Sequence, residues 1–463
     1  MRVRMLAGSL FRAVATGLVM LPLTAHFSPL TAQSITIYND GRVLVRRSVP
    51  ADIPKGESSQ KVALGQVDPS SIFSTDSLIT ILAANYDGGT DYQSVLRRSI
   101  GRKLLFRSGK DTLSATVLGV DPERYRMADG TVAFSPPGVP LFPEELVVVD
   151  PVVNLGLKSS QSRKALPLGY FTGGASWQAS YQVLLGGSSA RVTGMAVIGA
   201  GTLSMRDAEV QLLAGNVAQA AATDQFAKRR PMAAPMAARE ELGYATEQKV
   251  GEFHLYTLSG KVTLLPGVTS STALFEPANV SYTKGYEVTG NIPYWGGLPQ
   301  YGDEEEDVPV QVTYVLQRPR KTDFGDRPLP GGVARLFEPD SGGRLQLVGE
   351  AAMDHTPAGE DLRLGAGEAF DLKAKRVQTN YTTKRDSTGG SWRTVATADY
   401  RVTVINAADK AASVDVVEVR GGEWSVVSSS VKPEKLSSTR TRFRIPVPAA
   451  GKATLTYRVR VIW

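Results

Sequence analysis

Apolar and polar residues alternate with a period of two through most of this chain. The C-terminal segment shows the pattern most clearly, because every second residue from Leu455 to Trp463 is large and apolar. Successive side chains of a β-strand point to opposite faces of a sheet, so this pattern predicts strands with one buried face. The 45 glycines and 27 prolines fit many short strands joined by tight turns. The sequence therefore predicts an all-β fold.

One short segment departs from this period. Between Asp91 and Ser99 the larger side chains fall on one helical face, and Thr90 or Asp91 offers a cap for the free amides at its start. Short strands with glycine turns resume over residues 103–149. We predict one short helix here, followed by a compact β module.

Two longer stretches of alternation predict strands with a buried apolar face. In the central region, Trp177 to Leu185 place an apolar residue at every second position of one buried strand. In the C-terminal region, the spacing of strands fits a small immunoglobulin-like sandwich. The alternation there changes phase once, between Val416 and Val417, which predicts a β-bulge.

The first 34 residues have the composition of an export signal. Three arginines precede a short apolar stretch, Ala13 to Ala25, and two small residues follow, Ala32 and Ser34, with either one a candidate for the cleavage site. Such a stretch spans about 20 Å as a helix, which is less than the ~30 Å hydrocarbon core of a membrane. We predict a signal peptide at 1–34 and no transmembrane helix after its removal. The mature chain is then periplasmic, extracellular or attached to the cell surface.

Composition excludes several classes of protein. The chain has no cysteine, so it carries no disulfide and no thiolate metal site. Its formal charge of +7 falls to +4 without the three leader arginines. That charge is too small for the basic footprint of a nucleic-acid binder, so we predict no nucleic-acid partner. With 463 residues, of which 42% are hydrophobic, the chain is long enough for several cores.

Three stretches of the chain resemble one bacterial family. They are the opening IYNDGRVLVRR, the run Y-x-T-G-G-x-S-W-x-A-x-Y from Tyr170 to Tyr181, and a later stretch from LPGGVARLF at Leu329 to GEAFD at Asp371. All three are similar to the family named domain of unknown function 4139. The resemblance implies a secreted β-sandwich protein, and it implies no activity, because none is assigned to the family.

Two segments interrupt the β pattern, and we predict flexible loops at both. Residues 218–247 are rich in Ala, Met, Arg and Gln, and Pro231 and Pro235 stop any helix there. A basic membrane-binding helix is the alternative, but the three basic residues at its centre are consecutive and no large apolar face accompanies them. The second interruption spans residues 291–307.

The second loop is the strongest binding candidate in the sequence. Tyr294, Trp295 and Tyr301 lie among glycines and prolines, and an acidic run from Asp303 to Asp307 follows them. Exposed aromatic side chains stack on sugars or on other proteins, whereas the competing interpretation places Trp295 over one end of a sandwich. Consecutive carboxylates lack the alternation of calcium ligands, so we interpret the acidic run as solvated. We predict that the three aromatic residues contact an envelope protein or a glycan.

Motifs of catalysis and metal binding are scarce. Only His254 and His355 remain outside the leader, which is too few for a zinc site without a further ligand. The run Asp340-Ser341-Gly342 resembles part of a protease signature, but the strands on either side predict a hairpin turn. We predict no catalytic residue, no metal and no cofactor. A hydrolase of envelope glycans or peptides stays open as an alternative, because the separation of two carboxylates depends on the fold.

The preferred prediction is a tandem of β modules with a non-catalytic binding or scaffolding role at the cell envelope. We divide it into an N-terminal part (35–150), a central sandwich (151–395) and a C-terminal sandwich (396–463). An outer-membrane β-barrel component is a further alternative, because such chains also end on an aromatic residue after alternating apolar positions. Barrel strands are about ten residues long, and most strands predicted here are shorter.

Overall fold

The computed structural model of the protein describes residues 33–218, 243–291, 300, 304–386 and 392–463. Over these residues it contains 32 β-strands in separate sheets, one α-helix and two 3₁₀-helices. The predicted all-β fold with one short helix is therefore confirmed. Within the same residues, no helix has the length and apolar character needed to cross a membrane.

The strands are numbered in chain order. The first ten are β1 (Ser34–Tyr38), β2 (Val43–Ile53), β3 (Gly56–Ala63), β4 (Phe73–Ser74), β5 (Ile79–Asp87), β6 (Lys103–Ser108), β7 (Asp111–Val120), β8 (Glu123–Met127), β9 (Val132–Ala133) and β10 (Val139–Leu141). The next twelve are β11 (Val152–Ser159), β12 (Arg163–Thr172), β13 (Ser176–Gly186), β14 (Ser189–Gly199), β15 (Met205–Ala214), β16 (Thr246–Val250), β17 (Phe253–Thr257), β18 (Val262–Leu264), β19 (Thr269–Ala273), β20 (Ala278–Asn291), β21 (Glu306–Val308) and β22 (Gln311–Leu316).

The last ten strands are β23 (Gly332–Pro339), β24 (Leu345–Met353), β25 (Leu362–Glu368), β26 (Leu372–Asp386), β27 (Arg393–Asn406), β28 (Ala412–Val419), β29 (Glu423–Ser429), β30 (Glu434–Lys435), β31 (Arg440–Val447) and β32 (Gly451–Ile462). Helix α1 spans Tyr92–Arg98, and the 3₁₀-helices span Pro69–Ser71 and Glu144–Leu146.

These strands form five sheets. An eight-stranded sheet has the order β16-β17-β15-β1-β2-β12-β4, with β18 beside β15, and a three-stranded sheet has the order β3-β11-β5. An eleven-stranded sheet has the order β24-β23-β13-β14-β20-β28-β31-β30, with β19, β22 and β25 attached to it. The N-terminal five-stranded sheet is β10-β6-β7-β8-β9, and the C-terminal five-stranded sheet is β21-β26-β27-β32-β29.

The first strand lies inside the eight-stranded sheet. β1 and β2 form an antiparallel hairpin, and Gly41 in its turn has a φ of +91°. On its other side β1 pairs in parallel with β15, so that Ser34 lies opposite Glu209. Both edges of β1 are therefore paired, one with a neighbour in sequence and one with a strand far along the chain.

Three separate apolar clusters lie between these sheets. The largest joins the eight-stranded and three-stranded sheets to the first part of the eleven-stranded sheet and contains Trp177 and Tyr181. The second lies between β20, β28 and β31 on one side and β26, β27 and β32 on the other. The third lies beneath the N-terminal five-stranded sheet and includes Leu96 of α1. We call residues 92–149, which surround this third cluster, the small module.

Burial follows the predicted alternation on the two most regular strands. The five alternating apolar residues of β13, from Trp177 to Leu185, are all buried. On β32 the four residues Leu455, Tyr457, Val459 and Val461 are buried in the same way. Helix α1 begins after Asp91, whose carboxylate accepts the amide hydrogen of Ser94 as predicted for an N-cap.

The bulge predicted near Val416 is wrong. β28 pairs with β31 without any shift of register, and it pairs with β20 without one as well. The phase of the alternation changes for another reason. Glu418 occupies a core-facing position that follows Val414 and Val416 and is fully buried, while Val417 is buried on the opposite face. A charged residue therefore interrupts the apolar pattern without interrupting the strand.

Strands from both sides of residues 150 and 395 share sheets. β11 follows residue 150 and pairs with β3 and β5 from the preceding segment. β26 precedes residue 395 and pairs with β27 along the whole length of both strands. The C-terminal sandwich therefore includes β20 and β26, which lie upstream of residue 396.

Candidate functional site

The aromatic residues predicted to bind a partner lie outside the described residues. This applies to Tyr294, Trp295 and Tyr301, so their role stays a prediction. The acidic run that follows them is described from residue 304 onward, and its four residues up to Asp307 are exposed. Glu305 forms an ion pair with Lys375 at 3.4 Å.

The two histidines lie apart from each other and take part in separate local contacts. His254 on β17 lies 2.7 Å from the Glu247 carboxylate on the adjacent strand β16, measured from Nδ1 to Oε1. The Nδ1 atom of His355 accepts the amide hydrogen of Gly331 at 3.0 Å. In the described part of the chain, no group of three or more histidine, cysteine or acidic side chains is arranged to hold a metal ion.

An extensive buried polar cluster lies in the core of the C-terminal sandwich. Nη2 of Arg376 lies 3.1 Å and 3.2 Å from the two carboxylate oxygens of Glu418, and the Tyr457 hydroxyl donates to the same carboxylate. The guanidinium group also lies over the Tyr400 ring, 4.1 Å from its centroid. Gln378 donates to the Tyr400 hydroxyl at 3.1 Å. All five side chains are buried, so this cluster is not accessible to a ligand, and we interpret it as structural.

Burial and charge act together on the titration of this cluster. Burial raises the pKa of the Tyr457 hydroxyl well above its ordinary value, and the nearby Glu418 charge raises it further. Burial acts to lower the pKa of the Arg376 guanidinium, but Glu418, Tyr457 and Tyr400 together outweigh that effect and the net pKa is raised. Both groups therefore keep their ordinary protonation state at neutral pH.

Exposed large apolar side chains are concentrated in the small module. Ten of the 23 such side chains among the described residues belong to residues 92–149. These ten are Tyr92, Ile100, Leu105, Leu113, Val132, Phe134, Val139, Leu141, Val147 and Val149. A contiguous exposed apolar patch is typical of an interaction site.

Three of these apolar side chains lie side by side on the outer face of the N-terminal five-stranded sheet. Leu141 on β10 is paired with Leu105 on β6, and Val139 is paired with Arg107. Directly opposite residues in antiparallel strands point to the same face, with Cβ atoms about 5 Å apart. Leu105 is 51% exposed, Val139 67% and Leu141 37%. The three side chains form a small apolar surface open to solvent.

Several cations, among them Lys103, Arg107 and Arg126, share this outer face. Lys103 on β6 is paired with Thr116 on β7, which is paired in turn with Arg126 on β8, so both cations point outward together with Arg107. All three are exposed, and none of them forms an ion pair with any residue that the structure describes. We call the surface made by Lys103, Leu105, Arg107, Arg126, Val139 and Leu141 the basic–apolar face.

Two exposed arginines of the C-terminal strands, Arg458 and Arg444, are paired instead. Nε of Arg458 lies 2.5 Å from Asp399 and Nε of Arg444 lies 2.8 Å from Asp415. The hydrogen bond from Arg458 holds the pKa of the Asp399 carboxyl below its ordinary value, although burial acts in the opposite direction. An external charged partner has to disrupt these two ion pairs before it can bind either arginine.

A scan of the sequence against models of known protein families finds no match, and a search of curated proteins finds none either. The resemblance to the family named domain of unknown function 4139 therefore stays a prediction.

Sequence reasoning identified the small module but missed its outer face. In the stretch KLLFRS, three consecutive apolar residues hide which side chain points outward. Strand pairing shows that Leu104 and Phe106 are buried, whereas Leu105 points outward between Lys103 and Arg107. The signal in the sequence is an apolar residue with a cation two positions away on each side, which predicts an amphipathic outer face.

Proposed function

We propose that this chain is an exported, non-catalytic binding or scaffolding protein of the cell envelope, and that the basic–apolar face is its contact surface. The concentration of exposed apolar side chains beside unpaired cations supports this proposal. Fully covering a leucine or valine side chain is worth about 1.5–3 kcal/mol. A partner that covers Leu105, Val139 and Leu141 gains part of that free energy from each of the three side chains.

The leader at residues 1–34 and the sequence resemblance support a location in the periplasm or outside the cell. A buried core that includes Phe106 and Tyr125 supports the face from beneath, with their rings 5.4 Å apart and nearly perpendicular. The face therefore has a fixed shape before any partner binds. The aromatic residues Tyr294, Trp295 and Tyr301 remain a proposed second contact on the grounds of sequence.

Binding to washed cell envelopes tests the proposal. Mature protein is mixed with envelope membranes of a bacterial host, and the bound fraction is measured as a function of protein concentration. We expect saturable binding that weakens about tenfold in Leu105→Asp and again in Val139→Asp, because each change places a charge in the apolar contact. The control is Leu347→Asp, which alters an exposed leucine on β24, outside the small module.

Circular dichroism and the thermal midpoint show whether the variants keep the fold, as expected for changes at exposed positions. Loss of binding in the two face variants with retention in Leu347→Asp supports the proposal. Equal binding of all variants, or the absence of saturable binding by the wild-type protein, contradicts it.

A further inference from the structure

We infer that the partner of the basic–apolar face is an anionic phospholipid bilayer. This inference rests on the proposed binding function and names the chemistry of its partner. Lys103, Arg107 and Arg126 are unpaired among the described residues, whereas the exposed arginines Arg444 and Arg458 are paired. Unpaired cations that share one face attract a surface of many negative charges, such as phospholipid headgroups.

The apolar side chains of the face are aliphatic. Leu105, Val139 and Leu141 carry no aromatic ring, and sugar rings or protein hot spots are usually contacted by Trp and Tyr. Aliphatic side chains mix readily with lipid acyl chains, which are themselves hydrocarbon. The side chains on this face therefore fit the boundary between headgroups and acyl chains better than they fit a glycan.

The size of the face also favours a membrane over a protein. β6 has six residues and is about 20 Å long, β10 is shorter with three residues, and the four strands from β10 to β8 cover a width of about 20 Å. The resulting area of about 400 Å² is half of the ~800 Å² that each partner contributes to a stable protein–protein interface. A bilayer requires no complementary shape, so a small face with cations and aliphatic side chains is sufficient for peripheral contact.

The edge of the sheet is protected against the addition of a further strand. Among the strands that the structure describes, β10 is an edge strand that pairs only with β6, and its central residue, Pro140, lies opposite Phe106. Proline has no N–H group to donate, and proline in edge strands prevents strand addition. Contact through the outer face is therefore favoured over pairing of β10 with a partner peptide.

The geometry gives a definite orientation on the bilayer. Leu105 projects between Lys103 and Arg107 along β6, and Leu141 and Val139 project beside it from β10. In our proposal these aliphatic side chains enter the headgroup layer, and the longer cationic side chains reach the phosphate groups around them. The other face of the sheet stays packed on its own core.

Co-sedimentation of the mature full-length protein with vesicles tests the inference. The vesicles are pure phosphatidylcholine, or phosphatidylcholine mixed with phosphatidylglycerol. We expect binding to the anionic vesicles only. Binding weakens when salt is raised from about 0.1 M to about 1 M, because the screening length falls from about 10 Å to about 3 Å. Replacing Lys103, Arg107 and Arg126 together by glutamine is expected to weaken binding about 100-fold, at about fivefold for each cation.

Two variants distinguish binding through the basic–apolar face from binding that depends only on the net charge of the protein. Arg458→Gln removes a cation that is already paired with Asp399, so we expect unchanged vesicle binding. Leu105→Ser combined with Val139→Ser keeps all three cations, and we expect weaker binding that high salt weakens further. Equal binding to neutral and anionic vesicles overturns the inference, as does an equal loss of binding in Arg458→Gln and in the triple variant.

The proposed function and the lipid inference fail in different ways. If the protein binds envelopes through this face but binds no vesicles, the partner is an envelope protein or another anionic polymer, and only the lipid inference falls. If changes in the face leave envelope binding intact, the proposed function falls, whatever the vesicles show.

Discussion

Glu418 and Arg376 form an ion pair inside the C-terminal sandwich, at a position where the alternation of β28 calls for an apolar side chain. Glu418 is fully buried and Arg376 is nearly so. Tyr457 donates a hydrogen bond to the same carboxylate, which satisfies a further lone pair. Buried charges of this kind persist only when their partners are in place, so the cluster fixes how the two sheets face each other.

Removing one member of this pair is expected to destabilise the protein strongly. Arg376→Met leaves the Glu418 charge buried without its partner, which costs about 3–5 kcal/mol in the free energy of unfolding. The double variant Arg376→Met with Glu418→Leu is expected to recover most of that loss, because it removes both charges. Urea unfolding followed by circular dichroism measures both values. A double variant as unstable as Arg376→Met contradicts the assignment of the cost to an unpaired charge.

A methyl group at Gly290 is expected to disturb the same cluster from the neighbouring strand β20. A Cβ atom at this position would lie 2.1 Å from Oε1 of Glu418, a carboxylate that Arg376 and Tyr457 hold in place. Gly290→Ala is expected to cost about 1–3 kcal/mol. Gly285→Ala on the same strand is the matched control, since its nearest contact is 3.8 Å away. Equal stability of the two variants, measured by thermal unfolding, is the result that contradicts this account.

Arg318 is expected to hold two loops together. Its buried guanidinium donates to the carbonyl groups of Phe324, Pro357, Glu360 and Arg327. Burial lowers the pKa of the Arg318 guanidinium, because it disfavours the charged form. The hydrogen bonds to the carbonyl groups offset that cost. Arg318→Met removes the donor to the carbonyls of Phe324, Glu360 and Arg327, at about 1–3 kcal/mol for each buried group left unpaired, whereas the Pro357 carbonyl still accepts the Glu360 amide hydrogen.

Hydrogen exchange measured by mass spectrometry locates the effect of this change. Protection is expected to fall in residues 319–329 and 354–361 and to stay unchanged in the small module. The exposed Arg363 serves as the control, because Arg363→Met removes only an exposed ion pair at 3.8 Å. A loss of protection spread evenly over the chain contradicts the local role.

Acid is expected to weaken the contact between Asp399 and Arg458. The folded pKa of Asp399 lies below its ordinary value of 3.8, because Arg458 hydrogen bonds to the ionised form. A depressed pKa contributes stability that is present above the unfolded pKa and is lost as pH falls through the folded pKa. The free energy of unfolding should therefore decrease between about pH 5 and about pH 2. Asp399→Asn and Arg458→Gln should each show a smaller decrease in urea titrations; a decrease equal to that of the wild-type protein contradicts the assignment.

Much of the fold follows from local sequence patterns. The burial of alternate residues on β13 and β32 is visible in the sequence because a strand has a strict period of two. The cap at Asp91 is visible because an N-cap needs only a few neighbouring residues. These features depend on residues close together in the chain, so sequence analysis identifies them.

Other features depend on pairing between distant segments. The change of phase at Glu418 predicted a bulge, because the sequence does not show that this residue is buried against a partner. That partner, Arg376, lies on another strand of another sheet. The outward direction of Leu105 became clear only from its register with β10 and β7. The binding role predicted for Tyr294, Trp295 and Tyr301 is a statement about residues that the structure does not describe, so it stays a prediction.

The parallel pairing of β1 with β15 has a consequence for how the chain acquires its shape during synthesis. Thr36 and Gln211 are neighbours in the sheet and 175 positions apart in sequence. At about 5–20 residues per second, the ribosome needs roughly ten seconds or more to produce the second strand after the first. Until then one edge of β1 is unsatisfied, so the nascent polypeptide offers a natural binding segment to chaperones. We expect the largest apolar cluster of the protein to form late, because its formation requires more than the first two hundred residues.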